Sequence, residues 1–519
     1  MKTVISISLL LLSLFILATN AVAVELSENT SALLPLDGKY RFTFDSVDMP
    51  APDDRMGLVG FHYLVEMNPN IYIGISGFGS VSGDRGGFLT GGFTGGLQKQ
   101  LFDNLWFDGG LFLGGGGGGG APQGNGLMIR PYAGLRYDFR KMSLGLAYSQ
   151  VHFPKTEIDS DNISVSIDFP FNVYIANGRP VPTAEALSDL STESGQLPGF
   201  IQKELLLNLR SNYPLNSVKN TAGIKSDTRL DLIGVQFRHF LNRQSYVMVE
   251  AMGAFGGDAA GYAEVLAGGG YRFDLNHDKL DLTLGLAFGS GGGGMVDTGG
   301  GAMWHTTAGL EYRFTPTCFA VIDGGYIGSD GSFKATTAGI RIGYTLENFG
   351  SGFGTGPLSY DDTLRWDNWR IRFGHLTYTD PERKVALSTD EQVQLATIKT
   401  DLFFNDSFYL TGQAAGAYDG KAGGYAVGLI GIGLQSEQLG SSGVRFIGEV
   451  LVGAAGGGGI SVDDGIIVQP MIGIEYAFND DFSVQVLGGQ VEAIDGNLSS
   501  PVIDVALTWR FATLSRVVR

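Results

Sequence analysis

From about Lys39 onward, short segments alternate apolar residues with small or polar ones, and turn residues separate the segments. In 129–139, Ile129, Ala133, Leu135, Tyr137 and Phe139 fall on one side, with Arg130, Tyr132, Gly134, Arg136 and Asp138 on the other. In 142–149, Met142, Leu144, Leu146 and Tyr148 oppose Ser143, Gly145, Ala147 and Ser149. In 163–169, Ile163, Val165, Ile167 and Phe169 oppose Ser164, Ser166 and Asp168. A period of two marks strands with one apolar face. Eight such segments start near Lys39, Met56, Asn70, Gly86, Asn104, Gly126, Met142 and Ile163. Eight more lie between Gln202 and Leu346, and about eight between Trp366 and Phe511.

The three sets share an internal landmark. A glycine closing an apolar run precedes a terminal Phe by 25 positions in each: Gly114 and Phe139, Gly289 and Phe314, Gly453 and Phe478. Glycine-rich stretches follow that first glycine, and aromatic-ended strands (LRYDF, LEYRF, IEYAF) close each landmark. Three matches at one spacing read as an internally triplicated chain. The expected organisation is a signal segment at 1–23, a leader at 24–37 and β repeat 1 at 38–170. A linker at 171–199, β repeat 2 at 200–347 and a second linker at 348–365 follow. β repeat 3 then spans 366–511, with a C-terminal tail at 512–519. The first linker carries a short predicted helix over 184–190, starting from a Thr183 cap.

The signal reading rests on Lys2, the apolar run from Val4 to Ile16 and the small-x-small site Ala21-Val22-Ala23. No later run reaches 18 apolar residues, so no transmembrane helix follows it. Yet hydrophobic residues make up 44% and charged residues only 17%, so the apolar residues are spread along strands rather than blocked. One cysteine, Cys318, excludes an intramolecular disulfide framework. A formal net charge of −18 disfavours nucleic acid as a partner.

Alternation alone fits a soluble sandwich or a membrane barrel. Segments near the roughly 9–11 residues that cross hydrocarbon at a tilt favour the barrel. Aromatics at segment ends and a second face of Gly, Ser, Thr and Ala favour it too. The expected fold is therefore all-β, a transmembrane antiparallel β-barrel built from three repeats of about eight strands. One large barrel of roughly 24 strands is the preferred arrangement, because a single closure leaves no intermediate edges. The alternative is three tandem eight-stranded barrels, favoured by the long linkers and by small inward residues.

The signal, the aromatic-ended strands and the last strand carry a resemblance. In that strand Val505, Leu507, Trp509 and Phe511 alternate with Asp504, Ala506, Thr508 and Arg510. The chain resembles bacterial outer-membrane β-barrel proteins, and each repeat resembles the eight-stranded OmpA- or OmpW-like class. That resemblance implies the outer membrane of a Gram-negative bacterium, the lipid bilayer as partner, and assembly machinery that reads the C-terminal strand. Ala512 to Arg519 depart from it by following the terminal Phe. A homo-oligomer is allowed.

The glycine runs lack the Gly-Lys-Ser/Thr of a phosphate cradle and the spaced Asp residues of a calcium repeat. They read as architecture: close backbone approach, bending or loop. Arg136, Glu311 and Glu475 share one column on the face opposite the apolar one, joined by Arg130, Asp138 and Arg313. A charge facing lipid near the midplane costs roughly 2–4 kcal/mol for Arg, so all six are expected to face the lumen. There they either bias permeation or form an ion-pair network that holds a packed interior. Asp274-Leu-Asn276-His-Asp278 lacks the Gly and Glu of a calcium loop, and the six histidines never reach metal-ligand spacing. No catalytic, cofactor-binding or metal site is expected. The functional reading is a porin-like channel for small solutes or an exported polymer, with a non-conducting structural or adhesive barrel as the alternative.

Overall fold

A computed structural model describes residues 34–517, apart from 51–54, 177–198, 216–217, 225–227, 258, 277–278, 352–353, 357–362, 385–391 and 441. The expected signal, the Thr183-capped helix, most of the first linker and residues 352–353 and 357–362 of the second lie outside the described residues.

Twenty-four antiparallel strands make up the fold. The first eight are β1 (Leu34–Asp48), β2 (Arg55–Asn68), β3 (Ile71–Ser82), β4 (Leu89–Phe102), β5 (Leu105–Gly117), β6 (Met128–Asp138), β7 (Ser143–His152) and β8 (Asp159–Ala176). The second eight are β9 (Gly199–Pro214), β10 (Leu230–Phe240), β11 (Ser245–Gly256), β12 (Ala263–Asn276), β13 (Leu280–Gly292), β14 (Ala302–Arg313), β15 (Cys318–Ser329) and β16 (Lys334–Ser351). The last are β17 (Leu364–Tyr378), β18 (Val393–Phe403), β19 (Phe408–Asp419), β20 (Ala426–Gln435), β21 (Val444–Gly456), β22 (Ile466–Ala477), β23 (Phe482–Ala493) and β24 (Ser499–Arg516).

The all-β antiparallel barrel is as the sequence predicts, but the preferred single ring of 24 strands is not what the pairing makes. Strand β1 closes on β8, from Leu34↔Ile175 to Phe44↔Val165. Likewise β9 closes on β16, from Gly199↔Gly350 to Pro214↔Ala335, and β17 on β24, from Leu364↔Arg516 to Tyr378↔Val502. The tandem arrangement is the one realised: three eight-stranded barrels, numbered 1 to 3 along the chain. The physical reason lies inside them. Only a narrow ring lets Arg372 on β17 reach Glu449 on β21, four strands away, at 2.9 Å. In a ring of 24 those side chains would face an unfilled lumen.

The turns β2–β3, β4–β5 and β6–β7 span two to four residues, whereas the opposite end of barrel 1 has connections of six to ten. Both chain-linker ends lie at the short-turn end. There β8, β16 and β24 each run 18 residues, longer than every other strand. The excess forms a junction. Gly350 and Ser351 of β16 pair with Val173 and Asn172 of β8. Ile175 and Ala176 of β8 pair with Thr513 and Ala512 of β24, and Ser515 of β24 pairs with Asn348 of β16. Each tip lies on the next in a closed cycle, around a buried cluster that includes Tyr174, Phe349 and Leu514. Residues 171–176 and 512–516, expected as linker and tail, are therefore strand.

At the other end the glycine runs form a second cycle. Gly87, Gly261 and Gly424 all have φ of +87°, which favours glycine. A Cβ on Gly87 would lie 2.3 Å from Gly293 N, one on Gly456 2.2 Å from Gly261 N, and one on Gly115 2.5 Å from Gly416 O. Backbone hydrogen bonds cross the same contacts, from Gly424 N to Gly116 O at 3.0 Å and from Gly86 N to Gly299 O at 2.8 Å. Barrel 1 thus meets barrel 3, barrel 3 meets barrel 2, and barrel 2 meets barrel 1 through equivalent strands. The glycines are there because backbone touches backbone.

Two outcomes follow. Residues 364–516 alone are expected to refold into a heat-modifiable eight-stranded barrel, as read by gel mobility before and after boiling. Gly456→Val is expected to lose about 1–3 kcal/mol by overpacking the barrel 3–barrel 2 contact, as read by urea unfolding of the full chain.

Candidate functional site: the filled barrel interiors

The strands put charge inside and hydrocarbon outside. Along β8, Ser160, Asn162, Ser164 and Asp168 are buried while Ile163 is 63% exposed. Ile322 and Ile472, at 68% and 75%, sit on the outer faces of barrels 2 and 3. A soluble core would reverse that order. An outer belt of Leu, Ile, Val and aromatic side chains is the surface that lipid covers.

Inside, each barrel has two layers. Toward the longer loops sits an apolar plug. Val47, Met56, Phe78, Phe88, Phe112 and Phe153 form it in barrel 1. Met252, Tyr262, Met303 and Phe333 belong to it in barrel 2, and Tyr378, Tyr425, Ile460 and Val491 in barrel 3. Toward the short turns the interior is ionic.

In barrel 1, Arg41 Nε donates to Asp168 at 2.8 Å and its Nη2 to Asp108 on the opposite wall. Lys39 and Arg136 both donate to Gln98, at 2.6 and 2.9 Å. Arg130 donates to Asp45 at 2.9 Å and Ser164 at 2.8 Å, with its guanidinium over the rings of Phe78 and Tyr132. In barrel 2, Glu204 accepts from Arg272 at 2.7 Å and Arg313 at 2.9 Å. Glu311 accepts from Arg238 at 2.9 Å and Arg313 at 2.8 Å, and Arg210 reaches Glu250 at 2.9 Å. In barrel 3, Arg370 bridges Asp401 and Glu475 at 2.6 and 2.9 Å. Arg372 bridges Asp401 and Glu449 at 2.7 and 2.9 Å, while Lys399 bridges Glu449 and Asp504 at 2.7 and 2.8 Å.

The six residues singled out from the sequence all take part. Arg130, Arg136, Glu311 and Glu475 are buried, and Asp138 and Arg313 lie at the more open edge of the ionic layer. Arg136 pairs with Asp138 at 2.9 Å, and Glu475 also accepts from Arg510 at 2.6 Å. The structure does not bring the six together. Arg130, Arg136 and Asp138 serve barrel 1, Glu311 and Arg313 barrel 2, and Glu475 barrel 3. Their partners Asp108, Glu204, Arg238 and Arg370, and the further network members Arg41, Arg372 and Glu449, escaped the sequence reading. A weak signal was present, since Arg370 and Arg372 share one parity on an apolar strand.

Each buried ion loses several kcal/mol of hydration, which only well-placed partners offset. That accounts for the carboxylates accepting from two or three cations at once. The arrangement can lock a barrel. Among the described residues, no group of three or more His, Cys, Asp or Glu could hold a metal ion. The acidic turn at 159–161 is spent locally: Asp161 accepts from Tyr148 Oη at 2.6 Å and Asp159 from Gln150 at 2.8 Å.

Glu449→Ala, which strands Arg372 and Lys399 without their shared carboxylate, is expected to cost about 3–5 kcal/mol. Arg445→Ala removes a more open pair, 3.4 Å from Glu475, and is expected to cost at most about 1 kcal/mol. Urea unfolding of the two variants in micelles compares them directly.

No family model matches the chain, and no curated protein matches it. Among solved structures, OccK5 (OpdH) of Pseudomonas aeruginosa is similar at 8% identity and a TM-score of 0.23, over 92% of this chain and 97% of that one. The siderophore receptor PirA from Acinetobacter baumannii is similar at 10% identity and a TM-score of 0.28, over 93% and 81%. The ferric enterobactin receptor PfeA of Pseudomonas aeruginosa gives 10% and 0.27, over 92% and 81%. Overlaps this low carry nothing further. By its own geometry, with closed antiparallel rings that are apolar outside and ionic inside, the chain has the architecture of an outer-membrane β-barrel protein.

Proposed function

We propose that this chain is a non-conducting outer-membrane scaffold: three filled barrels locked into one rigid unit, displaying their longer loops at the cell surface. One observation carries the reading. Each interior is filled by an apolar plug above and paired charges below, save one cavity of about 20 Å³ in barrel 1. The charges of the lumen face one another instead of a passing solute. Short turns toward the periplasm and longer connections outward fit the usual orientation of such barrels. The bilayer is the partner of the outer belt, and β24 is the strand for assembly machinery to engage.

A second reading keeps the channel but moves it between the barrels. In its favour, Gly91 and Gly95 of β4 and Gly412 of β19 face open space, with nothing within 4 Å of an added Cβ. Planar-bilayer recording separates the two. The scaffold predicts ion-tight bilayers at saturating protein, and stepwise conductance would overturn it. If steps do occur, blocking by Gly91→Leu would assign them to the space between barrels.

A further inference from the structure

Barrel 1 differs from its siblings at one place in the interior wall. In barrel 2, Gly309 pairs with Asp323, and Asp323 with Gly339; Arg341 stands beside them and binds Asp323 at 3.2 Å. In barrel 3 the same register holds Gly473, Leu487 and Asp504, with Asp504 bound to Lys399. In barrel 1 it holds Gly134, Ala147 and Ser164, with Ser166 where barrel 2 has Arg341. The side chains that fill the other two interiors are missing, and a cavity of about 20 Å³ lies there.

The lining of that cavity carries three guanidiniums, each also paired with a carboxylate: Arg41 with Asp108 and Asp168, Arg130 with Asp45, and Arg136 with Asp138. Asp108 lies on the lining itself, with the hydroxyls of Ser164 and Ser166 on the wall. Arg130 is 2% exposed, yet its Nε has no hydrogen-bond partner among the described residues. The aromatic rings of Phe78 and Tyr132 and the bonds from Nη2 to Asp45 and Ser164 fix the guanidinium plane. An N–H donor left over in so dry a place is costly unless something accepts from it.

We propose that this cavity of barrel 1 is a binding site for one monatomic anion of chloride size, held by Arg130 Nε and the Ser164 and Ser166 hydroxyls. The volume suits a single small guest and nothing larger. The surplus group is a charged donor, which prefers an anion over a neutral acceptor. The inference does not depend on whether the protein conducts.

The test uses the full chain, refolded with bromide replacing chloride and crystallised. An anomalous peak within hydrogen-bond distance of Arg130 Nε, with none at the same register of barrels 2 and 3, is expected. Ala147→Leu places barrel 3's residue in the cavity and is expected to abolish the peak. Density without anomalous signal, or a peak that survives Ala147→Leu, overturns the site. Should that variant not refold, Ser166→Ala keeps the space and removes one donor. Its halide affinity, read from the bromide dependence of the unfolding midpoint at constant ionic strength, is expected to fall about tenfold. An unchanged affinity overturns the proposal equally.

Discussion

The structure depends on charges that must find partners across a narrow interior. An eight-stranded ring is just wide enough for arginines on one wall to meet carboxylates on the other. Arg372 with Glu449, Arg238 with Glu311 and Arg41 with Asp108 are such meetings, each spanning four strands. Once those pairs form, the ring cannot widen without stranding ions in a dry space. Strand number, closure between first and last strand, and a filled lumen are then one decision rather than three. The apolar plug follows, because it shields the pairs from water on the loop side.

Holding three such rings together raises a different difficulty. Their outer faces are covered with large apolar side chains, which lipid solvates as well as a neighbouring barrel would. Association therefore needs close packing and polar backbone contact instead of a hydrophobic drive. The glycine runs supply both, letting Gly115 approach Gly416 and Gly456 approach Gly261 at backbone distance. The Ser290 hydroxyl adds a hydrogen bond of 2.6 Å to Ser80 O across the barrel 2–barrel 1 contact. At the opposite end the strand tips make ordinary ladder pairs, which hydrocarbon-depth physics favours for the same reason.

Much of this is legible in the sequence and some is not. Period-two alternation gave the strands, their number and their inward charges, because side-chain direction in a strand is a local property. Arg136, Glu311 and Glu475 were found for that reason. Their partners were not, since Asp108 or Arg238 meets its mate across the lumen with no fixed spacing in the chain. Ring size was hidden for a related reason. Neighbouring hairpins look the same in a ring of eight or of 24, and only the closing pairs, β1 with β8, β9 with β16 and β17 with β24, distinguish them. One clue lay in plain view: apolar residues continue past Phe511 as Ala512, Leu514 and Val517, where a terminal barrel strand would have stopped.

The cyclic junction of strand tips has a consequence for how strong any single contact has to be. Because β8, β16 and β24 are segments of one polypeptide, the three barrels never dilute away from one another. Tethering of this kind gives each pair an effective concentration in the millimolar range. Interfaces too small to sustain a trimer of separate chains then suffice. Two contacts made around a closed cycle also hold the third in place by geometry. Covalent linkage thus removes the need for a large, sticky barrel-to-barrel surface, leaving the glycine faces thin and the rest of the perimeter to the membrane.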